Sequence, residues 1–204
     1  FNRVKYLKVM LNSVITQIEQ NNLGSSLEII VSDNCSDDGT KEYMNILSTE
    51  KPYIKYSRNQ KNIGVVKNII KLFELTSGKY WMFYGDDDVI PEGALIKVIN
   101  VLNGNPDVPL TIFAQRGYTG IKENKRISIH EAVSDYFYYM GNMCTATKTD
   151  FLKENLKKNY DKIATTCWPQ THVLLLEAAA ANLPEPVLLN TLEVYDFQEP
   201  DDNN

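Results

Sequence analysis

Short apolar strands alternate with amphipathic helices along the first half of this chain, and that alternation narrows the fold more than any other feature. Val4, Leu7, Leu11, Val14, Ile15 and Ile18 recur at the helical period, with Asn2 placed to cap and Asn22-Leu23-Gly24 closing the segment. Residues 27–31 form an apolar run of strand length, followed by a polar turn over 32–39. A helix over 40–47, a short strand at 53–56 and a helix marked by Val65, Ile69, Leu72 and Phe73 carry the series to Gly78. Residues 79–84 read as an aromatic strand, Pro91 stands near the first position of a helix over 93–102, and 109–114 is a further strand. Helix and strand in strict turn predict an α/β fold, a mostly parallel sheet with helices on both faces. The strand that should precede the first helix is missing from the rhythm, and Phe1-Asn2-Arg3 reads as the loop leaving it.

After Ala114 the pattern loosens. Residues 117–124 read as a loop and 127–139 as aromatic and irregular. A strand at 143–147, a helix over 151–156 capped by Asp150, a helix over 168–181, a strand after Pro186 and a polar tail from Asp196 complete the chain. The change divides one domain into residues 1–114, a nucleotide-binding half, and 115–204, an acceptor-side half.

Charge excludes one class of partner. Lys and Arg number 21 against 26 Asp and Glu, a net −5, so the chain lacks the basic balance of a nucleic-acid binder. That balance leaves room for a phosphorylated small molecule held through a metal. Cys35, Cys144 and Cys167 are odd in number and widely separated; they read as buried free thiols in a reducing compartment rather than a disulfide framework or a metal site. The apolar stretch 173–181 is interrupted by Glu177 and too short to span a bilayer. The expectation is a cytoplasmic protein, with peripheral contact at the inner face of the membrane left open.

Four signals carry chemistry, in chain order. Ser32-Asp33-Asn34-Cys35-Ser36-Asp37-Asp38-Gly39-Thr40 follows an apolar strand. As a calcium loop it fails, because with Asp33 first the turn glycine falls on Asp38 and the closing glutamate on Met44. As a strand-end loop it works: Asp33 accepts hydrogen bonds from a base or ribose, while Asp37 and Asp38 build the turn and cap the next helix. Asn62-Ile63-Gly64 opens a helix with backbone able to approach a phosphate, and Arg58 or Lys67 offers charge. It is neither a Walker loop nor a dinucleotide turn.

The third signal is Gly85-Asp86-Asp87-Asp88, where the aromatic strand gives way to a helix. Ligands in open α/β sheets bind on that side. Adjacent carboxylates repel unless a cation lies between them, and Mg²⁺ or Mn²⁺ suits clustered oxygen donors. Acids at a helix start also favour its dipole, which is the plainer account of the run. The fourth signal is Cys167-Trp168-Pro169-Gln170-Thr171-His172, with one of only two histidines; its imidazole suits proton transfer near neutrality.

In this order and spacing the elements resemble the family 2 glycosyltransferases of the GT-A fold, over residues 1–113. Phe1-Asn2-Arg3 with Tyr6-Leu7, the Asp33–Thr40 stretch, Asn59 through Gly64 with Asn68, and Gly85–Asp88 with Pro91 and Leu95 carry the likeness. The resemblance implies inverting transfer of a sugar from a nucleoside diphosphate sugar to a glycan or lipid-linked acceptor, as in surface polysaccharide assembly. It places Asp33 on the nucleoside, with Asn34, Asn62, Gly64 and Asn68 in the same nucleotide site, and Asp86 toward the ribose or sugar. Asp87 and Asp88 then hold the metal on the diphosphate, and Asp88 counts with His172 among the catalytic residues. Two departures stand out. Gly85 replaces the usual leading acid of the DxD region, and the Glu-Asp pair that many members carry late in the chain is replaced by Pro169-Gln170-Thr171-His172. His172 is therefore the candidate base, with Asp150, Glu131 and Asp135 as alternatives, and Trp168, Tyr136 and Tyr138 as candidate sugar-stacking rings. A binding module without a competent base is the alternative reading. A sugar-phosphate nucleotidyltransferase is disfavoured, since the start lacks its Gly-rich loop.

Overall fold

In the computed structural model the described residues are 1–115, 117, 120–136, 144–151, 153–154, 186–194 and 196–197. The elements run α1 (Val4–Gln20), β1 (Ile29–Asp33), α2 (Thr40–Glu50), β2 (Ile54–Arg58), α3 (Val65–Leu75), β3 (Tyr80–Met82), β4 (Asp88–Val89), α4 (Ala94–Gly104) and β5 (Leu110–Ala114). They continue with β6 (Lys125–Ile127), α5 (Ile129–Asp135), β7 (Thr145–Lys148), β8 (Val187–Glu193) and β9 (Asp196–Phe197). The α/β architecture, with helices flanking the sheet, is the one expected.

Pairing is more mixed than a mostly parallel sheet. β1 and β2 pair in parallel, as do β5 and β8. β3 with β7, β5 with β7, β6 with β8 and β4 with β9 are antiparallel. The five-stranded sheet has the order β3-β7-β5-β8-β6, so strands from the later half slot between and beside strands of the earlier one. The β1–β2 pair is joined through α2, the kind of helical crossover that a parallel pair requires.

Every residue of β5 is buried, and its Leu110, Ile112 and Phe113 pack with Ile70 and Phe73 of α3 and Val98 and Leu102 of α4. Phe73 meets the Trp81 ring edge-on at 5.2 Å. A second cluster joins Val14 and Ile18 of α1 to Ile90, Ala94 and Leu95. Gln17 lies buried in that apolar interface; its amide donates to the Ile90 carbonyl at 3.1 Å and accepts from the Leu95 N–H at 3.1 Å. It thereby satisfies an orphan donor in the first turn of α4 and fixes the chain just beyond the acid run.

β1 and β3 each end a sheet among the described residues, and both line an apolar cavity of about 230 Å³ with Val14, Ile18, Leu95 and Val98. Glu28 ties the two edges together, accepting from the Ser77 N–H at 2.6 Å, the Ser77 hydroxyl at 2.8 Å and the Gly78 N–H at 2.8 Å.

Four local expectations need correction. Asn2 does not cap α1; it adopts φ 55, and the Val4 N–H donates instead to Asp38. Pro91 stands before α4 rather than in its first turn, and Gly93, at φ 71, leads into the helix. Residues 129–135 form a helix, begun by Ser128, whose hydroxyl accepts from the Glu131 N–H at 3.1 Å. The polar tail opens with a strand, β9, paired to β4. The expected helix over 168–181, with Cys167, Trp168, His172 and Tyr138, lies outside the described residues.

Candidate active site

Asp33 is the last residue of β1 and is buried. Its Oδ1 accepts from the Ser36 N–H at 2.8 Å; Oδ2 accepts from the Tyr56 hydroxyl at 2.9 Å and lies 3.1 Å from Arg58 Nε. Burial alone would raise its pKa, but the hydrogen bonds from Ser36 and Tyr56 and the charge of Arg58 outweigh it and hold the carboxyl below the ordinary range. Tyr56 moves the other way, raised by burial and by the anionic acceptor. Asp33 is thus ionised and fixed, with its side chain wholly enclosed by these partners, so it shapes the turn rather than presenting a free acceptor. Arg58 Nη2 also donates to the Ser36 carbonyl at 2.8 Å, which commits this candidate phosphate ligand to the turn. Lys67, the other candidate, is exposed.

Asn34, Asn62, Gly64 and Asn68 are brought together by one amide network. Asn34 Oδ1 accepts from Asn59 Nδ2 at 3.0 Å and the Ile63 N–H at 2.9 Å, and its Nδ2 donates to Asn62 Oδ1 at 2.8 Å. Asn62 Oδ1 accepts in addition from the Gly64 N–H at 2.9 Å. Asn68 Oδ1 accepts from Asn59 at 2.8 Å and from the Ser32 hydroxyl at 2.8 Å, while its Nδ2 donates to the Ser32 carbonyl at 3.0 Å. Lys71 completes the set on Asn59 Oδ1 at 2.6 Å. These bonds lock the end of β1 to the entry of α3. Gly64 has φ 83, and no atom lies within 4 Å of where its β-carbon would be, so the backbone there is open to a ligand. Cys35 holds a left-handed φ of 73 in the same turn, a costly conformation for a side chain-bearing residue.

The acid run faces this turn through Arg3. Arg3 Nε lies 3.0 Å from Asp86 Oδ1, and its Nη2 lies 2.9 Å from Asp87 Oδ2. Burial raises the Asp86 carboxyl, Arg3 counters that, and the neighbouring Asp87 adds to the rise. Asp88 behaves differently: it is buried in β4 and accepts from the Gly85 N–H. A β-carbon at position 85 would stand 2.7 Å from Asp87 Oδ1 and 3.1 Å from Asp88 Oδ2, so the glycine makes room for both carboxylates. Beneath them, burial pushes the Cys144 thiol up to about 12, with the charge of Asp88 adding to it, and raises the Tyr84 phenol likewise.

Among the described residues no group of three or more acidic, Cys or His side chains is arranged as a complete metal cage. A site that shares its metal with a diphosphate needs only one or two carboxylates. Asp86 and Asp87 converge on one positive group, Arg3, whereas Asp88, expected to pair with Asp87, is turned onto the Gly85 N–H. Of the residues read as alternatives to His172, Glu131 is ion-paired to Lys125 at 3.0 Å, Asp135 accepts from Ser134, and Asp150 is exposed. Arg3 was not among the sequence candidates. The signal that could have found it is a cation directly after Asn2 in a chain with an unbalanced acid run.

Comparison with known proteins agrees with this architecture. The family model described as Glycosyl transferase family 2 matches residues 1–169. The chain is 34% identical over 111 residues to abequosyltransferase RfbV of Salmonella typhimurium, covering 54% of this chain and 32% of that protein. It is 36% identical over 104 residues to the GalNAc(5)-diNAcBac-PP-undecaprenol beta-1,3-glucosyltransferase of Campylobacter jejuni, covering 50% and 32%. The chain thus spans about a third of the length of these curated relatives. In structure it is similar to S. aureus TarS 1–349, with a TM-score of 0.75 at 18% identity over 96% of this chain and 57% of that one, a likeness of fold.

Proposed function

The chain belongs to glycosyl transferase family 2, and from that premise we propose that it takes part in sugar transfer from a nucleoside diphosphate sugar to a glycan or lipid-linked acceptor. The observation that carries the reading is the convergence of Asp86 and Asp87 on a single cation, joined through Arg3 to the turn that follows Asp33. In this reading residues 1–114 bind the donor and 115–204 face the acceptor. Asp33, expected from sequence to hold the nucleoside itself, instead fixes the turn that takes it, and the loop framed by Asn34, Asn62, Gly64 and Asn68 receives it at the entry of α3.

Asp86 and Asp87, in place of the Asp87–Asp88 pair expected from sequence, would hold Mg²⁺ or Mn²⁺, which would supply charge to offset that building on the leaving diphosphate. Asp88 supports them from β4 by closing the Gly85 turn. Reaction is a single displacement: the acceptor oxygen bonds to the anomeric carbon as the bond to the diphosphate breaks, inverting the centre, while His172 takes the hydroxyl proton. The names of the two curated relatives, an abequosyltransferase and a glucosyltransferase acting on an undecaprenol-linked glycan, support a bacterial glycan acceptor and peripheral work at the inner face of the membrane. The apolar slot between β1 and β3 supports a further strand between them.

Isothermal calorimetry with UDP, GDP and dTDP, each with and without Mn²⁺, tests the reading. Binding of one nucleotide, tightened by the metal, is the expected result; no binding of any of the three refutes it. Release of nucleoside diphosphate from the matching sugar donor then separates an enzyme from a binding module that lacks a base.

A further inference from the structure

The cation on the acid pair belongs to the chain itself, and its setting is that of an exchangeable counter-ion. Arg3 reaches Asp86 and Asp87 with different nitrogens, at 3.0 and 2.9 Å, and its guanidinium also lies 4.5 Å over the Tyr6 ring. The backbone on both sides is pinned. Asn2 and Asp37 bond reciprocally, Asn2 Nδ2 to Asp37 Oδ1 at 2.6 Å and the Asp37 N–H to Asn2 Oδ1 at 3.0 Å. The Asn2 N–H donates to the Ser36 hydroxyl at 3.0 Å, and the Val4 N–H to Asp38 Oδ2 at 2.7 Å. The side chain therefore reaches the acids from a fixed root. Its exposure of 40%, against 29% and 32% for the carboxylates, makes the pair weak and cheap to open. A hard divalent ion prefers the same oxygens, and two positive centres cannot share them without repulsion.

We propose that Arg3 is a placeholder cation that keeps Asp86 and Asp87 from binding divalent metal until the donor arrives. The inference rests on the sugar-transfer reading above. When a metal–diphosphate enters, Arg3 gives up the carboxylates and its planar fork passes to the diphosphate oxygens. Metal and nucleotide then bind cooperatively, because each supplies the partner that the other displaces.

Mn²⁺ titrations followed by the EPR signal of the free ion, without nucleotide and then with the nucleotide found to bind, test the exchange. Wild type should bind Mn²⁺ alone weakly and gain strongly from nucleotide. Arg3→Gln should bind Mn²⁺ alone about tenfold more tightly and gain less from nucleotide, since the coupling is lost. Arg3→Lys should fall between, because a single ammonium cannot fork across two carboxylates. Equal Mn²⁺ affinity without nucleotide in wild type and either folded variant overturns the proposal, as does wild-type binding that nucleotide fails to tighten. Circular dichroism identifies folded variants, and Arg3→Lys carries the test if Arg3→Gln does not fold. Failure of wild type to bind Mn²⁺ even with nucleotide removes the metal reading itself, a different outcome from unchanged affinity in the variants.

Discussion

Replacing Asp38 with alanine and, separately, Asp87 with alanine should dissociate stability from activity. Asp38 serves two helices: its Oδ2 accepts from the Val4 N–H of α1 at 2.7 Å, and its Oδ1 accepts from the Thr40 N–H and hydroxyl of α2 at 3.2 and 2.6 Å. Losing one N-terminal cap costs about 0.5–2 kcal/mol, so losing both should cost about 2 kcal/mol and lower the urea midpoint by about 1 M. Asp87 contributes only a half-exposed pair with Arg3, worth at most about 1 kcal/mol, and its removal also relieves repulsion from Asp86. Activity should rank the other way. Loss of Asp87 should slow nucleoside diphosphate release from the sugar donor by about 10²–10³, the range for removing a group that stabilises developing charge, while Asp38→Ala stays within a few-fold of wild type. Urea denaturation followed by tryptophan fluorescence gives the first ranking, and a coupled assay at low temperature, with both variants folded, gives the second. Equal stability losses, or equal activity losses, would refute the division of these acids into caps and ligands.

Two further outcomes follow from the same geometry. Glu28 is held down to about 2 from the ordinary 4.5: burial opposes ionisation, but Lys55, the Ser77 N–H and hydroxyl, and the Gly78 N–H prevail. Its folded value lies below its unfolded one, so its stabilisation is full above about pH 4.5 and is lost as pH falls toward about 2; allowing for the exposed Lys55, that is about 1–2 kcal/mol. Glu28→Gln should therefore be less stable than wild type at pH 7, with the gap narrowing below about pH 4.5 and closing near pH 2 by urea titration, and a gap that ignores pH would contradict the assignment. Gly85→Ala should push on Asp87 and Asp88 and weaken Mn²⁺-dependent nucleotide binding by about tenfold in calorimetry, with a small change in melting temperature; unchanged affinity would show that the glycine does not shape the acid pair.

Much of residues 1–114 was legible because the cues there are local. Periodicity located α1 to α4 within a few residues, and the Asn62-Ile63-Gly64 loop lies against Asn34. α5 carried a legible signature too, Ser128 with Glu131 three residues on, which the aromatic residues around it obscured. What local pattern cannot supply is the identity of a partner distant in sequence. Asp38 was read as a cap for the helix that follows it, yet it also caps the helix that precedes it by a whole strand. Arg3 was read as part of a loop, because nothing near it announces Asp86 and Asp87. Strand direction was equally hidden: the residues of β7 would suit either orientation, and only its place between β3 and β5 sets it antiparallel.

That placement bears on how the polypeptide reaches its native state. β5 is enclosed by β7 on one side and β8 on the other, so its hydrogen-bonding groups wait for chain that emerges much later. Pairings so far apart in sequence must be closed against loop entropy before they stabilise anything, which makes folding slow and leaves the most apolar strand exposed meanwhile. A polypeptide cut after Ala114 would keep the Asp33 turn and the acid run yet leave both edges of β5 bare. Residues on either side of Ala114 are thus parts of one cooperative folding unit rather than separable modules.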